Sequence, residues 1–197
     1  MSPRAGLTAE RITQAAAELA DEVGFDNITV SALARKFGVK DASLYSHIKN
    51  LRDLRNRVAM LASDEKTGLI AAAVAGRAGR DALAAFADSW RGYALEHPGR
   101  YAATQMPFDP SVAAERSGWQ RAVDLTYAML RAYGLDEPDL TDAVRLLRST
   151  FHGYTSLEAS GGFGHSRATA ASWDRIIDAL HITLTHWPST EEKAKTQ

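Results

Sequence analysis

The sequence predicts an all-α fold, and three observations lead to that prediction. Apolar residues recur at intervals of three and four through most of the chain, as they do along one face of an α-helix. Clusters of Gly, Pro and Asp interrupt this pattern where helices commonly end. Alternating runs of β-branched residues, which would predict strands, do not occur in the sequence. With 197 residues, of which 45% are hydrophobic, the chain can bury a substantial core.

The N-terminal quarter of the chain predicts three helices. The first begins near Thr8 and carries an apolar stripe that ends before Gly24. The second covers Val30 to Phe37, and Gly38 behind it has the backbone freedom that a sharp turn needs. The third runs from Asp41 to about Ile48. Two short helices joined by a tight turn with a glycine predict a helix-turn-helix, whose second helix can enter a DNA major groove.

Charge supports DNA binding by the same residues. Between positions 30 and 57 there are seven basic residues and two acidic ones, a local net charge of +5 in a chain whose net charge is -1. A basic face suits phosphate binding, although a run of charge is often only a solvated helix surface. The third helix also carries small or hydrogen-bonding side chains that can approach base edges.

The residues Gly38-Val39, followed by Ser43-Leu44-Tyr45-Ser46-His47-Ile48-Lys49-Asn50, resemble the DNA-binding domain of the tetracycline-repressor (TetR) family. The resemblance extends over about Thr8 to Leu54. It implies a three-helix DNA-binding domain at residues 1–50 and a helical ligand-binding and dimerisation domain at 51–188. The tail at 189–197 is polar, and we expect it to be disordered. The predicted DNA-binding residues are Thr29, Lys40, Asp41, Ala42, Ser43, Tyr45, Ser46, His47 and Lys49.

Three positions depart from the common pattern of the family. Leu51 stands where a phosphate-binding Lys is frequent, so Lys49, Arg52 or the backbone N–H groups of the next helix would have to replace that charge. Lys40 is a poor N-cap. Asp41 is repelled by phosphates unless it accepts a hydrogen bond from a cytosine amino group. These departures leave an alternative open, namely a helical ligand-binding or partner-binding module with weak or lost DNA reading.

Further helices are predicted along the rest of the chain. The fourth opens near Leu54 and fades at Gly76, and the fifth ends at His97-Pro98-Gly99. A short helix over Tyr101 to Gln105 and a seventh over Val112 to Tyr133 follow, then an eighth opened by Asp136-Glu137-Pro138 and a ninth around Trp173 to Trp187.

The last two helices carry more apolar surface than one side of a helix needs. One interpretation is burial in the core of a single chain. We favour a homodimer in which these helices pair with their copies as a four-helix bundle, as the resemblance also implies. A two-fold dimer would place two recognition helices about 34–36 Å apart, one turn of DNA. The predicted interface residues are Leu146, Gly153, Leu157, Trp173, Ile177, Leu180 and Leu184.

A small-molecule effector site is predicted among the fourth to eighth helices. Phe151-His152-Gly153 is similar to the Trp-His-Gly motif that marks one class of C-terminal domains in the family, with Phe151 in place of Trp. Aromatic side chains with a few polar tips are typical of such sites, although any one of them is more often plain core. The segment from Tyr101 to Pro110 is the expected mobile flap. The predicted ligand-binding residues are Trp90, Tyr93, Tyr101, Met106, Phe108, Trp119, Tyr127 and His152.

Enzymatic chemistry is not indicated. The sequence has no GxSxG, Walker A or GxGxxG motif, no cysteine and no HxxxH pair among its six histidines, so we expect no catalytic residues, metal site or cofactor. No signal-peptide pattern and no apolar run of membrane-spanning length occur, which favours a cytoplasmic protein without a membrane partner. The expected function is that of a ligand-responsive regulator, usually a repressor in this family, whose homodimer binds a palindromic double-stranded DNA operator. Nothing in the residues excludes activation instead.

Overall fold

The structure, a computed structural model, describes residues 6–107 and 117–188. This part of the chain contains nine α-helices, one 3-10 turn at Phe25–Asn27 and no strand, which confirms the predicted all-α class. None of the described helices is long and apolar enough to cross a membrane. The helices are α1 (Ala9–Val23), α2 (Val30–Phe37), α3 (Asp41–Leu44), α4 (Leu51–Val74), α5 (Gly79–Glu96), α6 (Pro98–Ala103), α7 (Ser117–Arg131), α8 (Asp139–Ala159) and α9 (Thr169–Thr185).

The chain divides into two compact units. The described residues of Met1–Thr67 and Glu96–Trp119 form the first unit, and those of Gly68–Leu95 and Gln120–Gln197 form the second. The predicted boundary at residue 50 lies within the first of these units. Residues 51–67 of α4 and all of α6 belong to the N-terminal unit because they supply part of its core, where Val58 and Ala103 are fully buried.

In the first unit, α1 and α2 begin and end on the residues that the sequence indicates. Thr8 caps α1 by accepting a hydrogen bond from the backbone N–H of Arg11 at 3.2 Å, and Gly24 ends the helix at φ 89°. The apolar stripe of α1 and the buried faces of α2 and α4 form the core. Its fully buried large side chains include Ile12, Ile28, Leu33, Leu44, Leu54 and Val58.

Helix α6 begins where the sequence analysis expected a helix to stop. Pro98 is its first residue, and the backbone N–H of Tyr101 donates to the carbonyl of His97 at 2.7 Å. Pro is favoured at this position because the first N–H groups of a helix have no intrahelical acceptor. Gly99 follows, and its Cα lies so close to α1 that a Cβ would be 1.9 Å from the carbonyl oxygen of Ala20. The glycine therefore permits close packing of α6 on α1.

Charged groups surround this contact between α1 and α6. The Asp21 carboxylate accepts from the backbone N–H of Arg100 at 2.8 Å, and Nδ1 of His97 lies 3.3 Å from its second oxygen. Nε of Arg100 makes an ion pair with the same carboxylate at 3.1 Å without hydrogen-bond alignment. Glu65 of α4 lies 3.3 Å from Nη1 of Arg100. Three helices of the first unit are thus joined around one guanidinium.

The second unit is built from the end of α4 with α5, α7, α8 and α9 around an aromatic cluster. The ring of Phe151 lies 6.1 Å from that of Phe86 and 5.6 Å from that of Trp173, between ring centroids. The indole N–H of Trp173 donates to the Asp88 carboxylate at 2.8 Å, which satisfies its one polar group. Arg91 lies over the same indole, 5.7 Å from its centroid.

Candidate nucleic-acid interface

The turn between α2 and α3 is closed by backbone hydrogen bonds. Gly38 adopts the left-handed conformation, at φ 67° and ψ 32°, which favours glycine. Its N–H donates to the carbonyl of Arg35 at 3.1 Å, and the N–H of Val39 donates to that of Ala34 at 3.0 Å. This pairing satisfies the last carbonyls of α2 and directs the chain into α3. Thr29 caps the other end of α2 by accepting from the N–H of Ala32 at 3.2 Å.

The second helix of the helix-turn-helix is shorter than predicted. Regular α-helix ends at Leu44, although the N–H groups of His47 and Ile48 both still donate to the carbonyl of Leu44, at 2.9 and 3.1 Å. The hydroxyl of Ser46 donates to the carbonyl of Ser43 at 2.7 Å, and such local bonds compete with helix continuation. Leu44 and Ile48 are buried, as the sequence predicted. We call residues 41–48 the recognition segment.

Most of the predicted base-contacting side chains are exposed. Asp41, Ala42, Ser43 and Ser46 are all open to solvent, and Tyr45 is 52% exposed although it is a large aromatic. His47 is half-buried. Since the hydroxyl proton of Ser46 is already donated within the segment, its oxygen is offered outward mainly as an acceptor. The arrangement suits contact with an external surface that has donors and acceptors, and DNA contact by these residues stays a prediction.

A side chain that the sequence analysis missed lies beside the recognition segment. The hydroxyl of Ser31, in the first turn of α2, donates to the Asp41 carboxylate at 2.5 Å. This carboxylate is therefore held in one orientation. Lys40 makes no side-chain capping bond to α3, in agreement with its expected weakness as an N-cap. The sequence offered no signal for the Ser31 contact, because its partner lies ten residues away on a different helix.

The seven basic residues between positions 30 and 57 differ in availability. Lys36 pairs with a glutamate of α1 at 3.0 Å, Arg57 with an aspartate of α4 at 3.3 Å, and Arg55 donates to a backbone carbonyl at 2.7 Å. By contrast, Lys40 and Lys49 are exposed and form no ion pair with any residue in 6–107 or 117–188. The cations available beside the recognition segment therefore lie at its two ends.

The N-terminus of α4 is closed by its own side chains. Asn50 accepts from the N–H of Asp53 at 2.9 Å, and Asp53 accepts from the N–H of Lys49 at 3.0 Å, a reciprocal capping arrangement. The Asp53 carboxylate lies at the N-terminus of α4, where a phosphate would approach. Binding of a phosphate by the backbone N–H groups at this helix end is therefore disfavoured. Leu51 is half-buried against the core of the first unit, which explains an apolar residue at this position.

The predicted ligand-binding residues lie in different environments. In the second unit, Tyr93 is buried, Trp90 and Tyr127 are half-buried against the core, and His152 is exposed on α8. His152 is therefore not a buried core residue. Of the remaining candidates, Tyr101 is buried and Met106 half-buried in the first unit, and Phe108 and the side chain of Trp119 lie outside the described residues.

A depression of about 440 Å³ lies in the first unit, between α1 and α4. None of the predicted ligand-binding residues lines it, so it is not the predicted effector site. Among residues 6–107 and 117–188, no group of three or more His, Asp or Glu side chains is arranged to hold a metal ion. The depression is lined by Glu10, Arg11, Thr13, Gln14, Arg57, Met60 and Leu61.

Four of the seven predicted interface residues lie in the core of one chain. Trp173, Ile177, Leu180 and Leu184 are between 0 and 6% exposed and pack within the second unit. They have almost no surface left for a partner. For these four residues, the interpretation as core residues of a single chain therefore applies, and not the interpretation as interface residues. Three residues of α8 remain accessible: Leu157 is 48% exposed, and Leu146 and Gly153 are half-buried. A Cβ at Gly153 would meet no described atom within 4 Å, so no other described helix of the same chain packs closely against it.

Two family models match the chain. Residues 12–58 match the model described as "Bacterial regulatory proteins, tetR family", and residues 83–180 match "Tetracyclin repressor-like, C-terminal domain". The chain is also similar to an uncharacterized HTH-type transcriptional regulator of Mycobacterium tuberculosis, Rv0681. The two are 38% identical over 177 residues, which make up 88% of this chain and 80% of the relative.

Solved structures share the fold over nearly the whole chain. A protein of unknown function from Rhodococcus sp. RHA1 has a TM-score of 0.72 at 24% identity, covering 94% of this chain and 98% of the other. BioQ with its double-stranded DNA operator has a TM-score of 0.60 at 23% identity, covering 89% and 99%. A tetracycline-repressor variant from Acinetobacter baumannii in complex with minocycline has a TM-score of 0.67 at 22% identity, covering 94% and 100%.

Proposed function

The chain belongs to the TetR family of bacterial regulatory proteins, and from that premise we propose that it is a ligand-responsive repressor that binds a palindromic DNA operator as a homodimer. The family consists of transcriptional regulators and not of enzymes. One observation carries the proposal: the recognition segment exposes small and polar side chains between two available cations, Lys40 and Lys49. Such a surface offers base-edge contacts flanked by phosphate contacts.

Different residues serve the two parts of this interface. Lys40, Lys49 and the Tyr45 hydroxyl bind phosphates and set the position of the recognition segment on the duplex. Ala42 and Ser43 approach base edges, where a methyl group can contact thymine and a hydroxyl can pair with donors or acceptors. Thr29 still has its hydroxyl proton to donate to a phosphate, because its oxygen acts as the acceptor in the α2 cap.

The proposed homodimer forms through the accessible faces of α8 and α9. Apolar side chains remain exposed there, with Leu157 at 48% and Ile182 at 60%. On α8 the spacing of Leu146, Gly153 and Leu157 puts them along one stripe, and Gly153 leaves room for a second backbone. A two-fold axis through such a surface would pair this patch with the same patch of the second subunit and bring two recognition segments to one face of the DNA.

The proposed effector is a small lipophilic or aromatic molecule. Support comes from the half-buried Trp90 and Tyr127 of the second unit and from the minocycline complex of a protein with the same fold. Helix α4 follows the recognition segment directly, so a ligand that shifts α4 changes the separation of the two recognition segments. The ligand moves this equilibrium only by its differential affinity for the two dimer states.

Selection from randomised duplex DNA tests the function. The purified protein is incubated with the duplex pool at several salt concentrations, and the bound fraction is sequenced. We expect an enriched palindrome and an affinity that falls steeply with salt. Salt-sensitive binding without an enriched site would refute operator reading and favour the module with lost DNA reading. If the protein binds no DNA, mass spectrometry is used to test whether it carries a captured ligand. Absence of both binding and ligand would refute DNA binding itself.

Variants of the basic residues make the test sharper. Lys49→Ala should weaken binding to all DNA sequences alike and reduce the salt slope by about one for each phosphate that the lysine would have neutralised. Lys36→Ala is the matched control, because its ammonium already neutralises a glutamate of α1 at 3.0 Å and should leave the slope unchanged. Equal effects of the two variants would contradict the assignment of Lys49 as a phosphate-binding residue.

A further inference from the structure

The Asp41 carboxylate is an unusual group to find at the front of a DNA-reading surface. It is exposed on the first residue of α3, among side chains that face solvent. A carboxylate has only acceptors, and the phosphates of DNA repel it. Its presence is therefore unfavourable for general DNA affinity and requires a partner that donates hydrogen bonds.

Ser31 fixes the orientation of this carboxylate. Its hydroxyl donates to Oδ2 of Asp41 at 2.5 Å, within the range of short charge-assisted hydrogen bonds. Ser31 lies in the first turn of α2, whose position is set by the Thr29 cap and the Gly38 turn. The carboxylate is thus held between two helices whose relative placement is fixed by backbone hydrogen bonds, and no residue in the described part of the chain donates a hydrogen bond to Oδ1 of Asp41.

We propose that Ser31 and Asp41 form one specificity element that selects a cytosine in each half-site of the operator. This inference rests on the proposed function. Cytosine presents an amino donor in the major groove, whereas guanine presents two acceptors and thymine one acceptor beside a methyl group. Guanine and thymine are therefore repelled by the carboxylate. Adenine has an amino donor too, but its neighbouring N7 is an acceptor and repels the second carboxylate oxygen.

Ser31 acts through Asp41 and is a positioning residue. Without its hydroxyl, the carboxylate can rotate about its side-chain torsions toward solvent. The preferred base then remains the same, but the discrimination weakens. A purely structural role, as a tether between α2 and α3, makes a different prediction: removal of the bond lowers thermal stability and weakens binding to every sequence equally.

The replacement Asp41→Asn makes the proposal sharply testable. An asparagine amide can accept from the adenine amino group and donate to N7 at the same time, which is the usual bidentate recognition of adenine. Its oxygen has two lone pairs, so it can still accept from Ser31 while it contacts the base. Only one atom of the carboxyl group changes, and its charge is removed. The preferred base should therefore switch from cytosine to adenine at one position of each half-site.

The experiment is selection from randomised duplexes with the full chain and four variants. Wild type should enrich a palindrome with a cytosine column, Asp41→Asn should convert that column to adenine, and Asp41→Ala should flatten it. Ser31→Ala should keep cytosine with discrimination reduced on the order of tenfold, a change of about 1.4 kcal/mol. Asp26→Asn is the charge-matched control in the same unit, since Asp26 is exposed outside the recognition segment, and its palindrome should match that of wild type.

The outcomes separate this inference from the proposed function. A wild-type palindrome with base preferences that are the same in Asp41→Asn would refute the specificity element and leave the operator-binding function standing. Equal weakening at every position in Ser31→Ala, together with a lower melting temperature, would assign the pair a structural role and overturn its reading role. If wild type enriches no site, both the inference and the proposed function fail.

Discussion

Replacing Gly99 by alanine tests the contact between α6 and α1. The added Cβ would lie 1.9 Å from the carbonyl oxygen of Ala20, 2.0 Å from its carbonyl carbon and 2.5 Å from the backbone nitrogen of Asp21. All three are backbone atoms of α1, so no side-chain rotation can relieve the overlap. Non-bonded heavy atoms prefer separations of about 3.5 Å or more, so α6 has to move away from α1 by on the order of 1.5 Å.

The cost follows from what this displacement breaks. Overpacking of a core costs about 1–3 kcal/mol, and a hydrogen bond to a charged group contributes about 1.5–3 kcal/mol. The Arg100 backbone N–H donates to the Asp21 carboxylate at 2.8 Å, a geometry that does not survive such a shift. We expect a destabilisation of about 3 kcal/mol or more, which for a chain of this size lowers the melting temperature by roughly 6–12 °C.

The melting temperatures of Gly99→Ala and Gly92→Ala are compared by monitoring thermal unfolding with circular dichroism. Gly92 lies inside α5, and a Cβ there would meet no described atom within 4 Å. Alanine should therefore stabilise that position by up to about 1 kcal/mol through its higher helix propensity. The same chemical change thus has opposite signs at the two sites. A Gly99→Ala protein that melts within about 2 °C of wild type would refute the account of the α1–α6 contact.

Three further predictions follow from the second unit. Arg91 donates two hydrogen bonds to Glu158, at 2.7 and 2.6 Å, and lowers the pKa of that carboxyl from its ordinary 4.5. The pair therefore stabilises the fold above the ordinary pKa and loses this contribution as the pH falls through the lowered one. The melting temperature of Glu158→Gln should lie below that of wild type at pH 7 and approach it as the pH falls further below 4.5; a constant difference would contradict the argument. Leu157→Glu combined with Ile182→Glu should give folded monomers on a sizing column, whereas an unchanged elution volume would place the interface elsewhere. Leu180→Glu combined with Leu184→Glu should instead lose its helical circular dichroism on mild heating, because both charges would be buried in the core, and a stable monomer would contradict that placement.

The helix-turn-helix could be predicted from the sequence because its signals are local. The Gly38 turn, the Thr29 cap and the inward-facing Leu44 and Ile48 each depend on residues within a few positions. The end of the recognition segment was less well predicted, since the Ser46 side chain competes with the helical backbone for the carbonyl of Ser43. Periodicity shows where an apolar face lies but does not reveal such competition.

Contacts between distant parts of the chain could not be predicted. Pro98 and Gly99 indicated the end of a helix, but both belong to the start of another one. This start is stabilised by a distant contact, since the N–H of Arg100 donates to the carboxylate of Asp21, 79 residues away. The apolar stripe of α9 likewise predicted a buried face, but it did not indicate which surface packs against that face. Leu180 and Leu184 fill the core of one chain. The periodicity of a stripe is the same whether the helix packs against its own chain or a copy, so sequence alone could not distinguish the two.

The pairing of basic residues within the structure changes what the charge of the DNA-binding face implies. Counting all seven cations between positions 30 and 57 in both subunits of a dimer gives fourteen phosphate contacts, and log affinity would then fall with log salt at a slope of about -13. Arg35, Lys40 and Lys49 are the ones exposed without an ion pair in residues 6–107 and 117–188. Six such cations in a dimer give a slope of about -5.

Titration of the selected operator at several salt concentrations measures this slope. A value near -13 would show that all seven cations of each subunit contact phosphates, so that the ion pairs of Lys36 and Arg57 open when DNA binds, whereas a value near -5 means that phosphate contacts alone give limited affinity. Base-edge contacts of the recognition segment would then supply a larger share of the binding free energy for the operator. Phosphate contacts favour every DNA sequence equally, and a slope near -5 means that they do so only weakly.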